Sequence, residues 1–492
     1  MKLLAFDLGA ESGRAVLGTL AHDRLTLEVL ARFLNTPKQI GGHWHWDTEH
    51  FFGAMSGALR DALAKHPDLD ALGCDTWGVD YVTLDRADRL IEEPWCYRDS
   101  RNDGIMDKAF ARLPREEIYR ETGVQFMPFN TCFQFLAATL GQGPAWKDVG
   151  TVLWMADYFH FLFSGKKVAE VSLASTSQFY NPARRAWSEK ILAAFGTPVS
   201  VLPPIVPAGE VLGGLSPALG LGATGARVKV VVPCSHDTGC AFAAVPAEGG
   251  DWACLSSGTW SLLGAEIDQP CITDETRDLG FTNEVGVDGT IRFLKNIIGL
   301  WLVQECRRTW EAEGTKYDYP ALIQLATEAK PFGPIVDPDD PRFVKPGDMP
   351  KKLADACREA VQPAPEGVGA TVRCAYESLA LEYRHVLDKL EKALGRRFKI
   401  LHVVGGGSQN PLLCQLTASA VGRPVIAGPA EGTAIGNCLI QARGLGAVKD
   451  RAHLRQIVRN SFDLRRYEPR DPAKWEKHFS LFLDLKRRAG RA

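Results

Sequence analysis

The stretch VVVPCSHDTGCAF, residues 230–242, sets Ser235, His236, Asp237, Thr238 and Gly239 directly after an apolar run. Polar groups at the end of a buried strand are where α/β proteins meet their ligands. A carboxylate placed there, Asp237, can take a proton from a hydroxyl held within hydrogen-bond reach. The same Asp can instead cap the next helix through its N–H groups. Three consecutive residues cannot form a Ser-His-Asp relay, and the chain has no G-x-S-x-G elbow, so a serine-hydrolase reading fails. A second polar turn is CDTWGVDYVTLD, with Asp75, Thr76, Trp77, Gly78 and Asp80 between two apolar runs. Gly78 would let a ligand approach the backbone closely; a structural hairpin with a core Trp is the alternative. His43 and His45 in GGHWHWD share one face of a strand. No third ligand follows at a suitable spacing, and His50 falls on an expected helix, so a metal site is not expected there.

Three glycine-bearing turns suit anions. LLAFDLGAESGRAVLG, residues 3–18, reads as strand, small polar turn, strand. Such a turn points several N–H groups at one spot. Neither G-x-G-x-x-G nor G-x-x-x-x-G-K-[ST] occurs in it, so a phosphate bound here is held in another way. WACLSSGTWSLLGAE, residues 252–266, repeats the pattern about half a chain later. Two such hairpins facing each other would clamp the phosphates of one nucleotide. FKILHVVGGGSQNPLLCQLTASAVG adds a strand, three glycines and a helix opened by Pro411, a third place for a nucleotide.

Strands are expected at 2–7, 13–19, 71–75, 79–84 and 228–233, and helices at 50–65 and 151–164. The Pro/Gly-rich passage 196–220 reads mostly as loop. SLALEYRHVLDKLEKALG is an amphipathic helix with Gly395 as its C-cap, and EGTAIGNCLIQA is a helix whose small residues permit close packing. The charged tail beyond about 460 reads as a surface helix. The 492 residues suit two large domains, 1–245 and 246–492, of an α/β protein. A net charge of −2 and the lack of a basic run interleaved with aromatics argue against nucleic-acid or membrane-surface partners. No apolar run approaches the roughly 20 residues of a membrane span. The N-terminus lacks the features of a signal peptide, which makes a cytoplasmic protein the expectation. The twelve cysteines never fall as C-x-x-C and read as reduced, mostly buried thiols. Cys357 and Cys374 flank a loop and could pair, but the thiol reading is preferred.

DLGAESGR, SHDT, LSSGTWSLLG and VVGGGSQN, in this order and spacing over nearly the whole chain, resemble the FGGY carbohydrate kinases, a branch of the sugar-kinase, heat-shock ATPase and actin superfamily. The resemblance implies two actin-like, ribonuclease-H-like ATPase domains with a nucleotide cleft and hinge between them. It implies ATP and Mg2+ as cofactors, a small ketose as partner, and a monomer or small homo-oligomer. DTWGVDYVTLD, PWCYRDSRNDG, TGVQFMPFNT and FLKNIIGLWLVQECRR are similar to the branch that phosphorylates L-rhamnulose at O1. Carried over by residue, the resemblance implies that Ala10, Glu11, Ser12, Gly13 and Arg14 form a first phosphate loop. Asp237 is implied as the base. Gly78, His236, Thr238 and Asn296 line the sugar site with it. Thr259 touches the ATP phosphates, and Gln304 and Gly406 lie on the nucleotide side with Asn410 as a further candidate. Glu11 departs from the family, which often has Ser or Ala there; an acid beside a triphosphate must point away or meet magnesium. Another ketose such as L-fuculose or L-xylulose is the alternative substrate, since one methyl or hydroxyl is worth only about 1–3 kcal/mol in a pocket. A non-catalytic sugar sensor on the same fold is the reading from a different class.

Overall fold

The protein was analysed as a computed structural model, which describes residues 1–9 and 11–490. They form two compact units. The first holds Met1–Pro246, Glu266–Phe293 and Gly432–Ser461; the second holds Ala247–Ala265, Leu294–Glu431 and the chain from Phe462 onward. The chain thus enters each unit more than once, where the sequence suggested one division after residue 245.

Unit 1 is built on β1 (Lys2–Leu8), β2 (Ser12–Ala21), β3 (Arg24–Leu34), β4 (Ala71–Thr76), β5 (Val211–Gly214) and β6 (Lys229–Val231), in the spatial order β5-β6-β4-β1-β2-β3. β1 and β2 form the expected antiparallel hairpin, which sets Asp7 opposite Arg14. β4 runs parallel to both β1 and β6. Strand side chains alternate between faces. Leu4, Phe6 and Leu8 therefore share a core with Phe51, Met55 and Leu59 of the helix Thr48–Lys65 and with Phe159 and Phe163 of the helix Met155–Ser164. Each such fully buried side chain contributes about 1.5–3 kcal/mol. The opposite face, where Gly18 and Gly73 lie, receives the helix Gly432–Gly444. A Cβ on Gly18 would lie 2.7 Å from Cys438 Sγ, and one on Gly436 only 1.9 Å from the Cys240 carbonyl oxygen. The small residues of EGTAIGNCLIQA are thus a condition of that packing.

Unit 2 is built on β7 (Trp252–Ser257), β8 (Trp260–Ile267), β9 (Ile291–Ile298), β10 (Ile400–Val404), β11 (Val425–Ala427) and β12 (Arg465–Tyr467), in the order β9-β8-β7-β10-β11-β12. β7 and β8 are antiparallel, and β10 runs parallel to β7 on its other side. The same relation joins β1, β2 and β4, so the hairpin repeat seen in the sequence belongs to a repeat of sheet topology.

Three expectations change. Residues 151–154 are a strand, paired antiparallel with Tyr81–Leu84, and the helix begins only at Met155. Val152, Leu153 and Trp154 are β-branched or bulky and suit a pleated surface. The amphipathic helix starts at Gly367 and runs to Leu394, buried nearly all round between Thr371 and Leu387. The tail forms the helix Pro472–Arg488, but Trp475, Phe479, Phe482 and Lys486 are buried, so it is a packed element of unit 2. Among the described residues no helix is long and apolar enough to cross a membrane.

Candidate active site

The SHDT turn of unit 1 is held from beneath. Thr76 N–H at the end of β4 donates to Ser235 O at 2.9 Å. Ser235 N–H donates to Glu170 Oε2 at 2.9 Å and its hydroxyl to Asp157 Oδ1 at 3.3 Å. His236 N–H donates to Ser172 Oγ at 3.2 Å. Asp157 and Glu170 are fully buried, and burial pushes both carboxyls above the ordinary range. The turn therefore rests on a fixed polar floor.

Asp237 opens the helix Asp237–Ala243 with its side chain 31% exposed. Its Oδ1 accepts from Thr238 N–H at 2.6 Å and Thr238 Oγ1 at 3.1 Å, and His236 Nε2 lies 3.3 Å away. No described residue donates to Oδ2. Burial raises the Asp237 carboxyl; the neighbouring His236 opposes the shift and the charge of Asp7 adds to it. A Cβ on Gly78 would come within 3.3 Å of Thr176 Oγ1 and 3.5 Å of His236 Nε2. The missing side chain thus leaves open the space in front of the imidazole. Gly78, His236, Asp237 and Thr238 lie close together here.

The opening hairpin stands on the same sheet. Arg14 donates from Nε and Nη2 to Asp7 Oδ2, at 3.0 and 2.7 Å. Gly9 N–H closes the turn on Ser12 O at 3.0 Å, and Asn35 N–H donates to Glu11 O at 3.1 Å. Glu11 and Ser12 are exposed, and Gly13 is required because a Cβ would enter the Phe33 ring at 2.3 Å. Ala10 lies outside the described residues. Asp75, on β4, is fully buried and well above its ordinary pKa through burial and the charge of Asp7. It accepts from Asn437 Nδ2 at 2.6 Å.

The remaining carried-over residues lie in unit 2. Thr259 sits in the β7/β8 turn, where its carbonyl accepts from Gly299 N–H at 3.1 Å and Trp301 N–H at 3.2 Å. Asn296 is half-buried on β9. Gln304 lies in the first turn of the helix Trp301–Ala312, and its buried Oε1 meets no donor among the described residues. The glycine turn packs on β7: a Cβ on Gly407 would lie 2.0 Å from Ser257 Oγ, whereas one on Gly406 would meet nothing within 4 Å. Gly406 is therefore the glycine with open space above it. Asn410 uses its carboxamide oxygen to cap the helix Pro411–Val421, accepting from Leu413 N–H at 3.0 Å.

Several features were not read from the sequence. Val79, a β-branched residue, holds a φ of 72° beside Gly78. Such strain persists only where the surroundings enforce it. Here Thr131 Oγ1 and Gln134 Nε2 both donate to Val79 O, at 2.7 and 3.3 Å. Asp80 beneath it is buried and accepts from Trp46 Nε1 (2.6 Å), Trp77 Nε1 (3.0 Å), Gln134 Nε2 (3.0 Å) and Tyr97 N–H (3.2 Å). Burial still pushes its pKa up to about 6, against those donors. The strained Gly78-Val79 turn was signalled only by glycine and acid in one short loop.

His43 and His45 are engaged elsewhere. His43 Nδ1 lies 3.0 Å from Asp99 Oδ1, His45 Nδ1 2.7 Å from Glu93 O, and both rings pack on Trp95. Among the described residues the one acid cluster with metal-like spacing is Asp337, Asp339 and Glu382 of unit 2. There the Lys486 ammonium lies 2.9 Å from Asp337 and 2.8 Å from Glu382. Cys357 and Cys374 are free thiols with sulfurs 4.0 Å apart.

Residues 2–244 match the N-terminal domain, and residues 253–445 the C-terminal domain, of the FGGY family of carbohydrate kinases. The chain belongs to this family. It is a carbohydrate kinase, and ATP is its phosphoryl donor. This kinase is 42% identical to a rhamnulokinase of Bacteroides thetaiotaomicron, over 98% of the chain and 99% of that protein. It is 39% identical to a rhamnulokinase of Pectobacterium carotovorum, over 98% of the chain and 96% of that protein. Its fold matches a xylulose kinase of Lactobacillus acidophilus with a TM-score of 0.82 at 16% identity, covering 100% of this chain and 99% of the other. A Plasmodium falciparum glycerol kinase with ADP matches with a TM-score of 0.78 at 15% identity, over 99% and 98% of the two chains. The α/β two-domain kinase fold expected from the motifs is thereby established.

Proposed function

We propose that the kinase transfers the γ-phosphoryl group of ATP to O1 of L-rhamnulose, in the breakdown of L-rhamnose, with Asp237 as the base. The observation that carries the mechanism is the asymmetry of the Asp237 carboxylate. Oδ1 is taken by Thr238, while Oδ2 meets no donor among the described residues and keeps a lone pair for an incoming hydroxyl. Burial raises the Asp237 pKa, which makes that oxygen a better proton acceptor. The choice of sugar is supported by the two relatives whose name specifies rhamnulose, aligned over nearly their whole length.

Phosphoryl transfer asks a protein for positioning and charge neutralisation more than for covalent chemistry. Gly78, His236, Thr238 and Asn296 are assigned to the sugar. Glu11, Ser12, Gly13, Arg14, Thr259, Gln304 and Gly406 are assigned to the nucleotide. The orphaned Oε1 of Gln304 and the open space over Gly406 suit a ligand that brings its own donors and bulk. Negative charge collects where Asp7 acts on Asp75 and Asp237, and the buried Asp75 Oδ1 meets no donor among the described residues, so a divalent cation would fit there. Mg2+ is bound mainly through substrate phosphates and one or two carboxylates, and would supply charge neutralisation there.

The test is ADP release with ATP and Mg2+ across L-rhamnulose, L-fuculose, L-xylulose, D-xylulose and glycerol. The expected result is the highest kcat/KM on L-rhamnulose. A clear preference for another sugar would move the substrate and keep the base; nucleotide binding without turnover on any sugar would favour a sensor.

A further inference from the structure

Behind His236 lies a charge pair that the mechanism above leaves unused. Arg292, in the first residues of β9, which belong to unit 1 with Glu284 and His236, is wholly buried, and its Nη1 is 3.1 Å from Oε2 of the buried Glu284. Its Nε and Nη2 donate to Val285 O at 3.3 and 3.2 Å. Nη2 also lies 3.3 Å from His236 Nδ1 in hydrogen-bond geometry. Glu284 Oε2 is 3.3 Å from the same Nδ1. On the far side of the ring, Nε2 stands 3.3 Å from Asp237 Oδ1 and faces the space left by Gly78.

A guanidinium has donors and no acceptor. The nitrogen that meets it must offer a lone pair, so Nδ1 is bare and the ring proton sits on Nε2. Glu284 alone would pull a proton onto Nδ1. Burial would raise the Glu284 carboxyl, but Arg292 first and His236 second hold it below its ordinary pKa. Glu284 Oε2 has no partner in hydrogen-bond geometry among the described residues, so Arg292 and not Glu284 meets Nδ1 in such geometry. The other neutral tautomer would turn a lone pair toward Asp237. An imidazolium would place a positive charge against the base and weaken it. Both are disfavoured by a cation set beside Nδ1.

We propose that Arg292 is a positioning residue for the acceptor sugar: it fixes His236 as the neutral Nε2–H tautomer, whose single proton is offered to a sugar oxygen in the Gly78 space. This rests on the reading of Asp237 as the base that takes the proton of the sugar hydroxyl. Glu284 is the counter-charge that lets Arg292 be buried.

Long-range proton–nitrogen NMR of the imidazole rings tests this directly, with His236→Asn assigning the signal. The unmodified protein is expected to show a bare Nδ1 and a protonated Nε2. The double variant Arg292→Met, Glu284→Leu removes both charges together, so that neither is left buried without a partner. It is expected to lose that single-tautomer signature. Its KM for L-rhamnulose should rise about tenfold, the scale of one neutral hydrogen bond, with the KM for ATP unchanged. Arg292→Lys keeps a donor without an acceptor and should retain the tautomer and most of the sugar affinity. A merely structural clip would leave the folded double variant with an unchanged ring spectrum and sugar KM, and that outcome would overturn the proposal. A protonated Nδ1 in the unmodified protein would overturn it too, even if the double variant does not fold. Failure to phosphorylate L-rhamnulose at all would count against the substrate reading, while the ring spectrum would still decide the tautomer.

Discussion

At the scale of single residues, turnover is expected to depend on Asp237, the proposed base. Asp237→Asn keeps the shape and hydrogen-bonding capacity of the turn but removes the proton acceptor. We expect kcat to fall by about 10²–10⁴-fold, the usual contribution of a positioned base, with nucleotide affinity unchanged. Near-normal turnover in single-cycle kinetics would exclude Asp237 as the base. The pH dependence follows from the direction of its shift. The base works ionised, and its pKa is raised by burial, so activity on the acid side is lost at a higher pH than for a free Asp at 3.8. An acid limb of kcat/KM at or below that value would contradict the assignment. Asp80 belongs to the same scale. Asp80→Leu would strand the indole N–H groups of Trp46 and Trp77 and the N–H of Tyr97. Each orphaned buried donor costs about 1–3 kcal/mol, which a denaturant titration would read. The stability held by Asp80 also has a sign in pH. Its folded pKa of about 6 lies above the ordinary 3.8, so the contribution is complete below about pH 4 and is lost as pH rises through 6.

At the scale of elements, the contact between the helices Gly432–Gly444 and Asp237–Ala243 sets where Asp237 stands. Gly436 meets the Cys240 backbone, with a Cβ 1.9 Å from its oxygen and 2.5 Å from its carbon. Backbone cannot swing aside like a side chain. Gly436→Ala should therefore cost at least the roughly 1–3 kcal/mol of an overpacked core and lower kcat by moving the Asp237 helix. Gly53, on the exposed side of the helix Thr48–Lys65, has nothing within 4 Å of an added Cβ. Gly53→Ala should stabilise by about 0.5–1 kcal/mol with kcat unchanged. Equal effects of the two substitutions on Tm would mean that packing at Gly436 is not what the geometry indicates.

At the scale of the whole molecule, unit 2 is closed by the last helix. Lys486 is 2% exposed and surrounded by Asp337, Asp339 and Glu382. Burial opposes its charge, but Glu382, Asp339 and Asp337 outweigh that and hold its pKa above the ordinary value. Lys486→Met leaves three acids without their main cation. The expected loss is about 3–5 kcal/mol, with faster amide exchange in the helix Pro472–Arg488. Unchanged exchange there would show that Trp475, Phe479 and Phe482 secure the helix without the ion cluster.

The features legible in the residues alone are local. The β1/β2 and β7/β8 hairpins, the polar turn after β6, the glycines at 405–407 and the C-cap Gly395 are each written in a few neighbouring residues. Turn chemistry and hydrophobic period act over that range. The family resemblance added the assignments of Asp237, His236 and Gly78, whose proximity in unit 1 the structure then supplied. The features that emerge with packing join partners far apart in the chain. Asn437 reaches Asp75 across 362 positions, and Arg292 reaches His236 across 56. No periodicity joins such pairs, because side chains meet through packing of whole elements. The strain at Val79 is of the same kind, since a β-branched residue gives no local sign of positive φ until Thr131 and Gln134 hold its carbonyl. The charged tail misled for a related reason: its long polar side chains include Lys486, and only the acids of another helix and loop could bury it.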